Sequence, residues 1–189
     1  RDFARLSGRP YLVHEHFTGY LRKSLSNAEW TLTARVYKDA AGVYGVSRFF
    51  ATFLEERVCK SSCSIGVLPN FLSREFENAG FAIEPHPQFL FVSLGRLVVQ
   101  KNYDLLLKAF AQAFAGTKEK LLIGGQGPEE GKLRKLSQDL GVGSQVEFGG
   151  AVPRKDVVSF LRRGKVFVLS SQIETFGVVL IESLSLGMP

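Results

Sequence analysis

No apolar run in this chain approaches the ~18 residues that a bilayer-spanning helix needs, and the opening RDFARLSGRP lacks the apolar core of a secretory leader. The first residue is not methionine, so missing targeting signals exclude little. Cysteine is scarce. Cys59 and Cys63, in CKSSC, make a poor disulfide framework, and their spacing is neither CxxC nor a zinc pattern. Unpaired structural thiols are the expectation, which suits a reducing cytoplasm. No Lys/Arg block and no basic-plus-aromatic RNA-binding signature is present, which argues against a nucleic-acid partner. There is no GK[ST] phosphate loop, and no ligand spacing suggests a metal. Gly125, Gly127 and Gly131 miss the dinucleotide fingerprint by one residue, which counts against a nicotinamide or flavin enzyme.

What is present is enough for one sizeable domain or two small ones: 189 residues, 45% hydrophobic and 22% charged, a globular composition. The net charge is +6. That suits an anionic ligand, a nucleic acid or an anionic membrane surface without choosing among them.

Short apolar runs alternate with longer amphipathic ones. Strands are expected at Tyr11–His14, Gly42–Val46 and Ile65–Leu68, with helices at Glu29–Asp39 and, behind an N-capping Ser47, at Arg48–Val58. Residues 71 to 88 hold Asn78, Gly80, Pro85, His86 and Pro87 without sustained periodicity and read as a linker. Beyond it, strands are expected at Phe89–Leu94, Lys120–Ile123, Val146–Phe148 and Val166–Leu169. Helices are expected at Tyr103–Phe114, Pro128–Leu140, Lys155–Arg163 and Phe176–Leu186. Alternating strands and helices predict an α/β fold with parallel, Rossmann-like sheets, in which ligands bind beyond the carboxyl ends of the strands.

Four motifs fall at those ends. In VSLGRLVVQKN, Gly95-Arg96 and Lys101 follow a strand; a guanidinium fork and an ammonium suit phosphate oxygens, though two solvated loop cations would read the same. In LLIGGQGPEE, Gly125 and Gly127 precede a helix, as a binding loop or as a tight turn. In VEFGGAVP, the Gly149-Gly150 turn and Val152 form a small apolar lip for a flat base, or a plain turn. In SSQIETFGVVLIES, Glu174 stands in a loop, and the amides of Phe176, Gly177 and Val178 open a helix. Glu182 lies some six residues in, roughly 9 Å along it. Its neighbours Leu180, Ile181, Leu184 and Leu186 are apolar nearly all round, so the helix reads as largely buried and its carboxylate as needing a partner.

Together, Gly95-Arg96 with Lys101, Gly125-x-Gly127-Pro128, Phe148-x-Gly150-x-Val152, and Glu174-x7-Glu182 followed by Gly187-x-Pro189 resemble the C-terminal domain of retaining, EX7E-type glycosyltransferases of the family 4 class. The match covers about 100 residues in the family's order and spacing. Less sharply, VSRFFATFL, VLPNFLSREF and RPYLVHEHFTGY resemble the N-terminal half of that family, the last being similar to a histidine-bearing loop of some bacterial members. His16 is the better match to that histidine; His14 stands where those members have a small or hydroxyl residue.

The resemblance implies two Rossmann-like domains (the GT-B architecture), here a partial N-terminal domain at 1–82 and an incomplete C-terminal one at 83–189. It implies transfer of a sugar, with retention, from a nucleoside-diphosphate donor (UDP or GDP) to a glycan or lipid-linked acceptor of the cell envelope, with no cofactor or metal. Arg96 and Lys101 would hold the diphosphate and Glu174 the donor sugar, with His16 near the reaction centre. Gly95, Gly125, Gly127, Gly150, Val152, Thr175, Phe176, Gly177 and Val178 would line the donor site, and Glu182 would take the ribose. A cytoplasmic location with peripheral contact to anionic lipid of the inner membrane is the matching expectation. A non-catalytic nucleotide-sugar-binding module or partner subunit, and a sugar-nucleotide epimerase, remain the other readings.

Overall fold

A computed structural model describes residues 2–22, 24–60, 63–80 and 88–189. The chain divides into two compact units: residues 1–71 with 173–176, and residues 72–172 with 177–189. The boundary expected between residues 82 and 83 lies outside the described residues, as do Pro85, His86 and Pro87 of the expected linker.

In the first unit, a short helix α1 (Asp2–Ser7) precedes strand β1 (Leu12–Glu15). Helix α2 (Asn27–Asp39) starts at a capping box: Ser26 Oγ accepts from the Glu29 amide while the Glu29 carboxylate accepts from the Ser26 amide at 2.7 Å. Strand β2 (Gly42–Gly45), helix α3 (Arg48–Leu54) and strand β3 (Gly66–Val67) follow. The strands are parallel in the order β1-β2-β3. Val46, Phe50 and Leu54 are fully buried beneath them, with Tyr37, Val43 and Ile65 around.

The helix expected to reach Val58 gives way after Leu54 to a π-helical turn, Glu55–Cys59, closed by Lys60 in the left-handed region (φ 45°). That widened turn holds the Cα atoms of Cys59 and Cys63 5.2 Å apart, and the two are joined in a disulfide. The expectation of unpaired thiols is corrected, and the inference from them to a reducing compartment goes with it.

The second unit is a four-stranded parallel sheet of β4 (Phe89–Leu94), β5 (Leu121–Gly124), β6 (Val146–Gly150) and β7 (Gly164–Phe167), in the order β6-β5-β4-β7. Helices α4 (Arg74–Ala79), α5 (Tyr103–Phe114), α6 (Glu130–Asp139), α7 (Val157–Leu161) and α8 (Val178–Ser185) complete it. All four residues of β5 are buried, as in a sheet covered on both faces. Leu121 and Ile123 join Leu107, Phe110 and Leu133 in one core; Leu122 joins Val92, Phe160 and Leu161 in the other.

Several element bounds shift by one or two residues, among them α6, which starts at Glu130 rather than Pro128, and α7, which spans Val157–Leu161 rather than Lys155–Arg163. Residues 74–79, expected in a linker, form α4, because Phe76 inserts into the second unit's core and is 2% exposed. Strand β7 begins at Gly164, two residues before the expected Val166. Helix α8 starts at Val178 rather than Phe176, because Gly177 takes a left-handed conformation (φ 77°) that no continuing helix contains. Among the described residues, no helix is long and apolar enough to cross a membrane.

Candidate functional site

From β4 the chain steps outward to β5 and β6, then returns to lay β7 on the other side of β4. The loops leaving β4 and β7 therefore depart on opposite sides of a topological switch point, where open parallel sheets receive ligands. The β4 loop carries Gly95, Arg96 and, at the end of a 3-10 turn (Val99–Lys101), Lys101. The β7 loop is tied to it: Ser170 Oγ donates to the Lys101 carbonyl at 2.8 Å, and the Gln172 amide to the Gln100 carbonyl at 3.0 Å. Arg96 is exposed and Lys101 half-buried. The Lys101 stem runs past Gly95, where a Cβ would stand 3.6 Å from Lys101 Cε and 3.2 Å from Tyr103 Oη.

The glycines of the next two strand ends answer to backbone packing. Gly125 has φ 120°, and a Cβ there would overlap the Gly95 carbonyl; one at Gly127 would overlap the Leu97 carbonyl. The Leu97 amide donates to the Gln126 carbonyl at 2.9 Å, and the Gly125 amide to the Gly150 carbonyl at 2.7 Å. These bonds stitch the ends of β4, β5 and β6 into one surface. Gly150 (φ 68°) borders open space. Val152 and the neighbouring Gly149, Pro153 and Phe160 line a shallow cavity of about 270 Å³.

Glu182 is the fifth residue of α8, so its rise from the helix start is ~6 Å rather than ~9 Å. It is buried, at 3% exposure, beside Ser183 and Leu186. Val178, Leu180 and Leu184 are exposed, Leu184 at 60%, while Val179 and Ile181 are half-buried, which corrects the expectation of a largely buried helix. The partner that a buried carboxylate requires is Arg154, which sequence reasoning did not single out. Its Nη1 donates to Glu182 Oε1 at 2.5 Å from a 3-10 turn (Arg154–Asp156) after β6. In sequence, RKD after Val152-Pro153 reads as solvated charge; only the requirement that Glu182 be paired signals that a cation must reach it.

The other expected residues fall in the first unit: His16, Glu174, Thr175 and Phe176. Thr175 is buried, with its Oγ1 donating to the His16 carbonyl at 3.3 Å and its own carbonyl accepting from Ser47 Oγ at 2.7 Å. Phe176 packs on that unit's core. Glu174 is half-buried.

At the carboxyl end of β1, His14 Nε2 lies 2.8 Å from the Leu68 carbonyl, and His16 Nε2 lies 3.2 Å from His14 Nδ1. A carbonyl only accepts, so His14 Nε2 carries a proton. With both rings neutral, His14 Nδ1 then accepts, His16 Nε2 donates, and His16 Nδ1 is left with a lone pair. Glu15 beneath accepts the amides of His16 and Phe17 and the Tyr37 hydroxyl. His16 is exposed, yet the partial desolvation it undergoes, and next the charge on a protonated His14, hold its imidazole below the ordinary 6.5, against an opposing pull from Glu15.

Removing His14 by substitution with alanine is therefore expected to raise the His16 pKa, read by NMR titration of the imidazole. A His16 that titrates above 6.5 in the unaltered protein would contradict the arrangement. Because the folded value is depressed, the stability His16 contributes is present above pH 6.5 and is lost as pH falls through the folded pKa.

The family model described as Glycosyl transferases group 1 matches residues 75–189. Mannosylfructose-phosphate synthase of Agrobacterium fabrum is 34% identical over 107 residues, 52% of this chain and 24% of that protein. Lipopolysaccharide core biosynthesis glycosyltransferase LpsE of Rhizobium meliloti is 40% identical over 98 residues, 52% of this chain and 27% of that protein. The matched stretch is thus about a quarter of each relative's length. Among solved structures, Anabaena Alr3699/HepE in complex with UDP and glucose superposes with a TM-score of 0.83 at 18% identity, covering 98% of this chain and 53% of that one. Sucrose-phosphate synthase from Thermosynechococcus elongatus gives 0.78 at 20% identity, covering 98% and 51%. Those two likenesses establish the α/β, Rossmann-like fold of GT-B glycosyltransferases. With a family model spanning all of the second unit from α4 onward, the chain belongs to the glycosyl transferases of group 1.

Proposed function

We propose that the protein carrying this chain is a retaining, EX7E-type glycosyltransferase that moves a sugar from a UDP- or GDP-sugar to a glycan or lipid-linked acceptor. The observation that carries this reading is the joining of the β4 and β7 loops at the switch point, with Arg96 and Lys101 on one and α8, bearing a buried Glu182, following the other. HepE's complex with UDP and glucose supports a nucleoside-diphosphate sugar as donor.

Arg96 and Lys101 bind the diphosphate and stabilise the charge that develops as it leaves. Glu182 takes the ribose hydroxyls, Val152 and the Gly149-Gly150 turn border the base, and Glu174 orients the donor sugar through its hydroxyls. His16 belongs to the reaction centre. The bond from the anomeric carbon to the phosphate oxygen breaks while the acceptor oxygen bonds to the same face, and the acceptor's proton passes to the departing phosphate. No metal enters this scheme. A cytoplasmic protein held peripherally at the inner membrane by its +6 charge is part of the proposal.

The test is proton NMR of the anomeric centre during turnover by the full-length protein. A product with the donor's anomeric configuration is expected. Inversion would overturn retention, and binding without hydrolysis or transfer would favour a non-catalytic binding module.

A further inference from the structure

Arg154 is anchored at several points. One amino group, Nη1, donates to Glu182 Oε1 at 2.5 Å; the other, Nη2, donates to Ser73 Oγ at 2.8 Å. Its guanidinium carbon lies 5.1 Å from the centre of the Phe76 ring, which is itself fixed in the core. The arginine side chain stays 52% exposed while the Glu182 side chain is only 4% exposed. The carboxylate torsion of a glutamate is broad and roughly two-fold, so an unrestrained Glu182 would sample many planes. A fork held at both amino groups removes that freedom. Oε1 is engaged, and Oε2 takes no hydrogen bond from a described side chain.

We propose that Arg154 is a positioning residue for ribose recognition: by gripping Oε1 it fixes the Glu182 carboxylate plane and presents Oε2 to the vicinal hydroxyls of a nucleoside diphosphate. This rests on the assignment of Glu182 to the ribose. Preorganising an acceptor lowers what binding must spend on ordering it, and the gain is confined to ligands carrying the diol.

The experiment compares affinities of the full-length protein for UDP, GDP and ADP with those for their 2′-deoxy forms, by calorimetry. For the nucleotide that binds, the unaltered protein is expected to prefer the ribose form by about tenfold or more, the scale of a hydrogen bond to a charged group. Arg154→Gln is expected to bring that preference to about threefold or less, with 2′-deoxy affinity unchanged. Arg154→Lys, which keeps a charged donor, restores part of it. Ser73→Ala, which releases one of the two amino groups and leaves the bond to Glu182, is expected to give a preference between those of the unaltered protein and Arg154→Gln. An equal loss of affinity for both forms in Arg154→Gln, or a lowered melting temperature with an unchanged preference, would make Arg154 a purely structural link and overturn the proposal. Glu182→Gln separates the two layers. If it abolishes the preference while Arg154→Gln does not, only the positioning role fails. If it leaves the preference intact, or if none of the three nucleotides binds the unaltered protein, the ribose assignment fails and the positioning role with it.

Discussion

Alanine at Lys101, or at Arg96, is expected to lower kcat/KM of the full-length protein by at least tenfold each. A charge-assisted contact to phosphate is worth about 1.5–3 kcal/mol, and each ~1.4 kcal/mol is a factor of ten in rate. The loss should fall on kcat as well as KM, because the diphosphate carries more charge as it leaves than when bound as donor. Lys101→Arg is not a rescue. The Lys101 stem already runs within 3.6 Å of the point where a Gly95 Cβ would stand, and its backbone is pinned by Ser170. The longer, planar guanidinium would have to find another path. Steady-state kinetics with UDP- and GDP-sugars checks this; donor affinity and turnover unchanged in both alanine variants would sink the diphosphate assignment.

The second large effect is on stability and is asymmetric. Arg154→Met leaves a nearly fully buried carboxylate without its cation, and is expected to lower unfolding free energy by about 3 kcal/mol, the lower end of the cost of breaking a buried pair because Arg154 is half-exposed. Glu182→Gln leaves an exposed arginine that water can solvate and a side chain of the same shape that still accepts from it. Its cost is expected to be about 1 kcal/mol, that of a neutral hydrogen bond in place of a charged one. Denaturant unfolding at neutral pH measures both. Equal losses, or the reverse order, would mean that Glu182 is not held by Arg154 in solution.

The readable and unreadable parts of the sequence differ in kind. Phe89–Leu94 and Tyr103–Phe114 lie where their patterns predict, because Leu106, Leu107 and Phe110 recur at helical spacing over a strand that is apolar at both faces. Helix α4 was hidden because REFENA has one large apolar residue, Phe76, and a single buried anchor sets no period. The Cys59–Cys63 disulfide was hidden because it depends on a π-turn and one left-handed residue, neither of which leaves a mark in CKSSC.

At the candidate site, Arg96, Lys101 and Glu182 could be singled out because the motifs that hold them resemble a family's; the structure adds their places after β4 and on α8. Arg154 could not, because its pairing spans 28 positions and nothing local distinguishes it from Lys155. Nor did spacing show that Thr175 and Phe176 pack with the first unit, since a short excursion from 173 to 176 looks like any loop.

The central claim is that a nucleoside diphosphate binds at the carboxyl ends of β4 and β7. Hydrogen–deuterium exchange of the full-length protein, with and without saturating UDP or GDP, tests it most directly. Slowed exchange is expected in two segments together: residues 95–101, with Arg96 and Lys101, and residues 177–182, with the α8 start and Glu182. Protection confined to residues outside both segments, under conditions where the nucleotide is bound, would contradict it.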